Sequence, residues 1–119
     1  MSKSYPEITR SLSAGLRELR KEAGETMAGF SSMTQAAMKE GALSKKTKEL
    51  IALSLGVAAR CDGCLGYHAE ALVKLGATRQ EVAEALGVAI QMGGGPSLMY
   101  AADAFAAFTQ FEARALTPA

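Results

Sequence analysis

Residues 60–68 read RCDGCLGYH, from Arg60 to His68, and this stretch holds both cysteines and the only histidine of a 119-residue chain. Asp and Gly at positions 62 and 63 are typical of a helix start, and Asp62 is the expected N-cap residue. The helix that follows is predicted to run from Gly63 to Leu75 and to end at Gly76, a residue suited to the left-handed position after a helix. This stretch therefore predicts a tight turn that leads into a helix.

The same residues predict redox chemistry. Cys61 and Cys64 are spaced C-x-x-C, close enough for their sulfurs to pair. With Asp62 as N-cap, Cys64 is the second helical residue, where unpaired amides and the helix dipole lower a thiol pKa and favour the thiolate. His68 follows four residues later on the same helix face, where it can take and return the thiol proton. Cys64 is thus the expected nucleophile, and Cys61 is placed to resolve its oxidised form as a disulfide.

Helix signals continue on both sides of this stretch, whereas alternating strand patterns are almost absent, so we predict an all-α chain of about six helices. Each of the other five helices is bounded by a proline, a glycine or a capping residue. Their expected extents are about 6–23, a helix through Met38 that stops at Gly41, a helix capped by Ser44 through Arg60, a helix from the capping box of Thr78 and Glu81 to about Met92, and a helix capped by Ser97 through about Arg114.

Composition supports a single helical domain over residues 1–119. Nearly half of the chain is hydrophobic, but only 6% is aromatic, so its apolar surface comes mainly from Ala, Leu, Val and Met. Met27, Phe30 and Met33 have helical spacing and are interpreted as core or subunit interface. The helix of 44–60 is apolar nearly all round and is expected to be central. A domain of this size cannot bury so much apolar helix surface alone, which predicts self-association.

Charge and hydropathy exclude several classes of protein. The formal net charge is +1, without a basic cluster, which argues against a nucleic-acid partner. No apolar stretch reaches the roughly 20 residues of a membrane span, and the N-terminus lacks a secretory signal pattern. We therefore expect a cytoplasmic protein with no membrane partner. In that reducing compartment a C-x-x-C is more often catalytic or metal-binding than structural.

Glu49 is the third candidate site residue, because it begins a helix whose next turns are almost wholly apolar. In one interpretation Glu49 lies in the first turn, partly solvated and favoured by the helix dipole. In the other, the helices before and after the Arg60 turn fold back on each other. Glu49 then approaches His68 directly or through water and fixes its tautomer. Composition alone favours the first interpretation.

The pattern of Glu49, Cys61-x-x-Cys64 and His68, followed by the segment 76–96 (GATRQEVAEALGVAIQMGGGP), resembles the AhpD-like alkylhydroperoxidase branch of the carboxymuconolactone decarboxylase superfamily. The resemblance covers about residues 44–111. It implies an all-helical fold, homotrimers or homohexamers, and an antioxidant dithiol peroxidase or disulfide reductase of the peroxiredoxin-activity type.

By this resemblance Cys64 meets the hydroperoxide, Cys61 resolves it, and Glu49 with His68 forms a proton relay. The electron donor is a cellular dithiol that the sequence does not identify, and no segment resembles a cofactor site. One departure concerns position 63, where the best-known relatives carry a histidine and this chain has Gly63, so part of their relay is missing.

Other functions remain open at this point. Cys61, Cys64 and His68 could hold zinc, but a closed structural site needs a fourth ligand, from Glu49 or a neighbouring subunit. The dithiol could also serve a partner protein, as a disulfide reductase or redox adaptor. A decarboxylase-like activity is a further alternative, although that branch does not need two cysteines. Finally, the cysteines and the histidine could simply be buried packing residues.

Overall fold

The computed structural model describes residues 2–116. This part of the chain consists of six α-helices and the turns between them, without a strand. The all-α prediction is confirmed. Met1 and residues 117–119, the ends of the predicted domain, lie outside the described residues. The helices are α1 (Tyr5–Glu22), α2 (Gly24–Ala37), α3 (Lys45–Ala59), α4 (Asp62–Lys74), α5 (Arg79–Gly93) and α6 (Gly95–Leu116).

Helix α4 lies at the centre of the bundle, against α1, α3 and α6, while α5 packs on α3 and α6. Large apolar side chains from all of these helices meet in one core. Burial of each contributes about 1.5–3 kcal/mol to the free energy of unfolding. The largest fully buried members are Tyr5, Leu53, Val57, Leu65, Leu72, Val82, Phe108 and Phe111.

Several predicted helix boundaries are confirmed by their capping contacts. The Ser44 hydroxyl accepts the amide of Thr47 at 3.1 Å and caps α3. Thr78 and Glu81 form the expected capping box, in which each side chain accepts the backbone N–H of the other. Gly76 follows α4 with a φ of 76°. The contacts of Ser44, Thr78 and Glu81 satisfy amides that a helix start otherwise leaves unpaired.

Two predicted boundaries outside α4 are wrong. Helix α2 ends at Ala37 rather than Gly41, and beyond this end the ammonium of Lys48 donates hydrogen bonds to the carbonyls of Ala37 and Lys39. Helix α6 is not capped by Ser97, which lies buried inside it. The helix instead begins at Gly95, directly after the turn between α5 and α6.

The turn between α5 and α6 brings the two helices close together, and Gly93 and Gly94 permit this approach. Gly94 has a φ of 72°, and its carbonyl accepts the amide of Leu98 at 3.0 Å. A Cβ atom at Gly93 would lie only 1.9 Å from the Ser97 hydroxyl. Glycine is therefore required at both positions, at Gly94 because of the positive φ and at Gly93 because a side chain would not fit.

Helix α2 contributes no buried residue, and α1 is the only helix whose backbone lies against it within residues 2–116. Phe30 and Met33 are 65% and 60% exposed, so the expectation that they belong to this chain's core is wrong. The core is filled by the other five helices, and α2 stands off from it. A role of these side chains in a subunit interface stays a prediction.

The prediction that α3 is central is met only in part, because α3 packs against α4, α5 and α6 but leaves one face uncovered. Ile51 and Leu55 are exposed on this face and, with Val88 and Met92 of α5, line an apolar cavity of about 440 Å³. No helix within residues 2–116 is long and apolar enough to cross a membrane.

Candidate active site

The candidate site is built at the sharp turn between α3 and α4. Arg60 ends α3 in the left-handed conformation, with a φ of 54°, and is the one non-glycine residue with positive φ in the described chain. Its amide donates to Val57, and the amide of Cys61 donates to Gly56 at 3.0 Å. The chain therefore reverses within two residues, and α4 folds back along α3.

Cys61 and Cys64 are joined as a disulfide in the first turn of α4. The N-cap is Cys61, whose sulfur accepts the amide of Cys64 at 3.2 Å, and not Asp62 as predicted. Asp62 is instead the first helical residue, and its carboxylate turns away to bind Lys3. Cys64 becomes the third helical residue. Its own amide is paired with the Cys61 sulfur, but it still lies in the first helical turn, at the positive end of the helix dipole.

Gly56 lets α3 come close to the dithiol. A Cβ atom at this position would lie 3.1 Å from Cβ of Cys64 and 3.4 Å from a methyl of Leu65. Sequence reasoning missed this residue. The signal was present, since a glycine inside a long apolar helix often marks a close packing contact.

Glu49 and His68 meet across α3 and α4. Oε2 of Glu49 lies 2.6 Å from Nδ1 of His68, and the Glu49 side chain is 9% exposed against 30% for His68. This is the second of the two interpretations of Glu49, in which its side chain contacts that of His68 directly. Glu49 lies at the start of the second helical turn, so the fold-back of α4 covers it. A buried carboxylate needs such a partner, and the imidazole supplies it.

The pair leaves one imidazole nitrogen available. An ionised Glu49 accepts a hydrogen bond from Nδ1–H, which fixes the tautomer and leaves Nε2 of His68 to take or give a proton. His68 follows Cys64 by four residues on α4, so the two side chains lie on one helix face. Such an arrangement is suited to proton transfer between the Cys64 thiol and the imidazole of His68. The catalytic roles of Cys64, Cys61, His68 and Glu49 stay predictions.

Glu49 borders an open concavity at the corner between α2 and α3. A concave space of about 470 Å³ ends on Glu49 and is also lined by Thr34, Gln35, Met38, Lys39, Glu40 and Lys45. Part of the wall of the candidate site thus comes from the end of α2, the helix that stands off from the core.

Gly63, which replaces the histidine of the best-known relatives, faces α1. A Cβ atom here would lie 2.7 Å from a methyl of Leu12, so a histidine at position 63 requires Leu12 to move. Tyr67 is also occupied by α1: its hydroxyl donates to the carbonyl of Thr9 at 3.1 Å and pairs with Ser13 at 2.6 Å. Tyr67 therefore joins α4 to α1.

No group of three or more His, Cys, Asp or Glu side chains is arranged to hold a metal ion within residues 2–116. In the disulfide state the two cysteine sulfurs are bonded to each other and cannot serve as thiolate ligands. In this state only Glu49 and His68 of the four candidate site residues could serve as metal ligands, whereas a closed zinc site needs four.

Comparison with known proteins relates the chain to one family. Residues 24–107 match the model of the carboxymuconolactone decarboxylase family. An uncharacterized protein of Cupriavidus necator is 36% identical over 113 residues, which cover 89% of this chain and all of the relative.

Two solved structures have the same fold. A carboxymuconolactone decarboxylase family protein from Legionella pneumophila is 57% identical, with a TM-score of 0.89 over 91% of this chain and 96% of that one. A family protein from Thermotoga maritima, whose description suggests an involvement in antioxidative response, is 28% identical, with a TM-score of 0.76 over 88% of this chain and 92% of that one.

Proposed function

This chain belongs to the carboxymuconolactone decarboxylase family, and we propose that it is a thiol-dependent hydroperoxide reductase whose Cys61–Cys64 pair cycles between dithiol and disulfide. The observation that carries the proposal is the disulfide in the first turn of α4, one turn before a histidine that is paired with a buried carboxylate. The antioxidative response suggested for the Thermotoga maritima relative supports the same class of activity.

The first step oxidises Cys64. His68 takes the proton of the Cys64 thiol, and the thiolate attacks the terminal oxygen of the hydroperoxide ROOH. The O–O bond breaks, an S–O bond forms, and the departing alkoxide takes the proton from His68 and leaves as ROH. Cys64 is then a sulfenic acid. Glu49 supports both proton transfers because it stabilises the imidazolium between them.

The second step closes the disulfide. The Cys61 thiol attacks the sulfenic sulfur of Cys64, an S–S bond forms, and the hydroxyl leaves as water with the thiol proton. Two thiols and ROOH have then given a disulfide, ROH and water. A small or protein-borne dithiol reduces the disulfide by thiol–disulfide exchange and returns two protons and two electrons to Cys61 and Cys64. No bound cofactor enters this cycle.

Turnover with a defined reductant tests the proposal. The protein is supplied with cumene hydroperoxide and an excess of dihydrolipoate, and hydroperoxide loss is compared with dithiol oxidation after subtraction of the uncatalysed reaction. We expect one hydroperoxide consumed for each dithiol oxidised. Cys64→Ser should abolish the reaction. Cys61→Ser, given one equivalent of hydroperoxide without dihydrolipoate, should form no intramolecular disulfide and should leave Cys64 as a sulfenic acid that dimedone traps.

The outcomes separate this function from that of a redox adaptor. A protein that exchanges disulfides with dihydrolipoate but consumes no hydroperoxide above background serves a partner protein and does not reduce peroxides. Turnover retained in Cys64→Ser would remove Cys64 as the nucleophile and overturn the mechanism.

A further inference from the structure

The backbone before α1 is fastened to α6 by a single side chain. The amide group of Gln110 donates to the carbonyl of Lys3 at 2.9 Å and accepts the backbone N–H of Tyr5 at 2.8 Å. The Tyr5 side chain is fully buried below this contact, and burial raises its pKa to about 12. Residues 3–5 therefore form a fixed strap over the start of α4 and the middle of α6.

This strap places the ammonium of Lys3 between two carboxylates. Nζ lies 3.2 Å from Oδ2 of Asp62 on α4 and 3.2 Å from Oδ2 of Asp103 on α6, and 5.5 Å from the centre of the Tyr100 ring. The Lys3 and Asp62 side chains are 37% and 39% exposed. The two carboxylates raise the pKa of Lys3, with the Asp103 contact as the larger cause, so the ammonium stays charged at neutral pH.

Asp62 stands between the two cysteines in sequence and is the first residue of the helix that holds Cys64. An unpaired carboxylate there repels a thiolate in the same helical turn, which opposes the stabilisation by the helix dipole. We propose that Lys3 is a positioning residue of the dithiol: it holds and neutralises Asp62, and thereby sets how readily Cys64 forms a thiolate and how readily the pair is reduced. This inference rests on the proposed redox function.

The charges around Lys3 favour an action through Asp62. Asp103 and Tyr100 face it from α6 and Asp62 faces it from α4. Glu7 of α1 lines the same open concavity, which reaches Gly63 beside the dithiol. Asp62 is the only one of these groups in the C-x-x-C segment. Removal of the Lys3 ammonium thus leaves the negative charge of Asp62 unneutralised beside Cys61 and Cys64.

Lys3→Met tests the proposal on the reduced protein without any peroxide. The Cys64 thiolate is titrated by its absorbance at 240 nm in a Cys61→Ser background, and the reduction potential of the intact pair is measured in glutathione buffers. We expect the thiolate fraction at neutral pH to fall about threefold to tenfold. The potential should become more negative, since a destabilised thiolate disfavours the reduced state. Lys3→Arg, which keeps the charge and both carboxylate contacts, should restore both values.

Two further variants identify the route. Lys74→Met removes an ammonium that is ion-paired with Glu70 at the other end of α4, and it should change neither quantity. In an Asp62→Asn background the effect of Lys3→Met should fall to less than half. An unchanged thiolate fraction and potential in Lys3→Met, or an equal effect with and without Asp62, would overturn the proposal. A thiolate and disulfide that respond to Lys3 in a protein without hydroperoxide turnover would contradict the proposed function and leave this inference standing.

Discussion

Oε2 of Glu49 lies 2.6 Å from Nδ1 of His68, although the two residues belong to different helices that meet only because the chain reverses at Arg60. The contact buries a carboxylate at the base of α3 and orients the only histidine of the chain. His68 follows Cys64 by four residues on α4, so the two side chains share one helix face. The chemistry of the dithiol therefore depends on how α3 and α4 pack.

Substitutions in this pair should slow oxidation of Cys64 without unfolding the protein. His68→Gln removes the proton acceptor and should lower the rate of hydroperoxide-driven disulfide formation by about a hundredfold or more. Glu49→Gln keeps a hydrogen-bond acceptor but loses the negative charge, and a fall of about tenfold to a hundredfold is expected. Stopped-flow measurement of thiol loss gives both rates. Wild-type rates in both variants, at unchanged helical content by circular dichroism, would remove the relay from the mechanism.

Gly66 is predicted to be essential for the packing of α4 on α1. A Cβ atom here would lie 2.5 Å from the methyl of the buried Thr9, which is a short side chain with little freedom to move. Gly66→Ala should lower the free energy of unfolding by about 1–3 kcal/mol. Gly87→Ala is the matched control, because a Cβ atom on this exposed α5 residue meets nothing within 4 Å. It should stabilise the protein by up to about 1 kcal/mol. Urea denaturation measures both, and equal effects would contradict the packing argument.

Arg60 carries a conformation that costs a non-glycine residue about 1–2 kcal/mol. Its φ of 54° lies at the turn that sets α4 against α3. Arg60→Gly should therefore stabilise the fold by about 0.5–1 kcal/mol, once the larger backbone freedom of glycine in the unfolded chain is subtracted. Arg60→Ala removes the same charge but keeps the unfavourable conformation, and should give no such gain in thermal denaturation. A gain of the same size in both variants would assign the effect to charge.

Helix α2 is predicted to lie in a subunit interface, because Phe30 and Met33 are exposed on it and the chain alone does not cover them. We expect a homotrimer or homohexamer by light scattering and sedimentation. Phe30→Asp and Met33→Asp should shift the protein towards smaller species. Ser32→Asp, which adds the same charge on an exposed position of α2, should leave the assembly intact. A monomeric wild-type protein would disprove the expectation.

Local signals were sufficient for the helices that end in strong punctuation, such as the Thr78 capping box and Gly76, because these contacts involve residues adjacent in sequence. They failed where a distant side chain decides the boundary, as when Lys48 takes the carbonyls at the end of α2. The N-cap of α4 was misplaced for the same reason, since Asp62 binds Lys3 from the other end of the domain.

The candidate site shows the same difference between contacts that are local in sequence and contacts that depend on packing. The C-x-x-C and His68 were found because their spacing lies within one helix. The choice between the two interpretations of Glu49 required the packing of α3 on α4, which periodicity does not determine. Gly56 and Lys3 were missed, since their contacts with the dithiol segment come from parts of the chain outside α4.

The central claim is that Cys64 and Cys61 form a disulfide in response to a hydroperoxide. The most direct measurement is the intact mass and thiol content of the reduced, metal-free protein before and after one equivalent of cumene hydroperoxide, with Cys64→Ser in parallel. The account predicts rapid loss of both thiols and the loss of two hydrogens in mass, absent from the variant. Inert thiols in correctly folded protein, or oxidation that proceeds without Cys64, would contradict it.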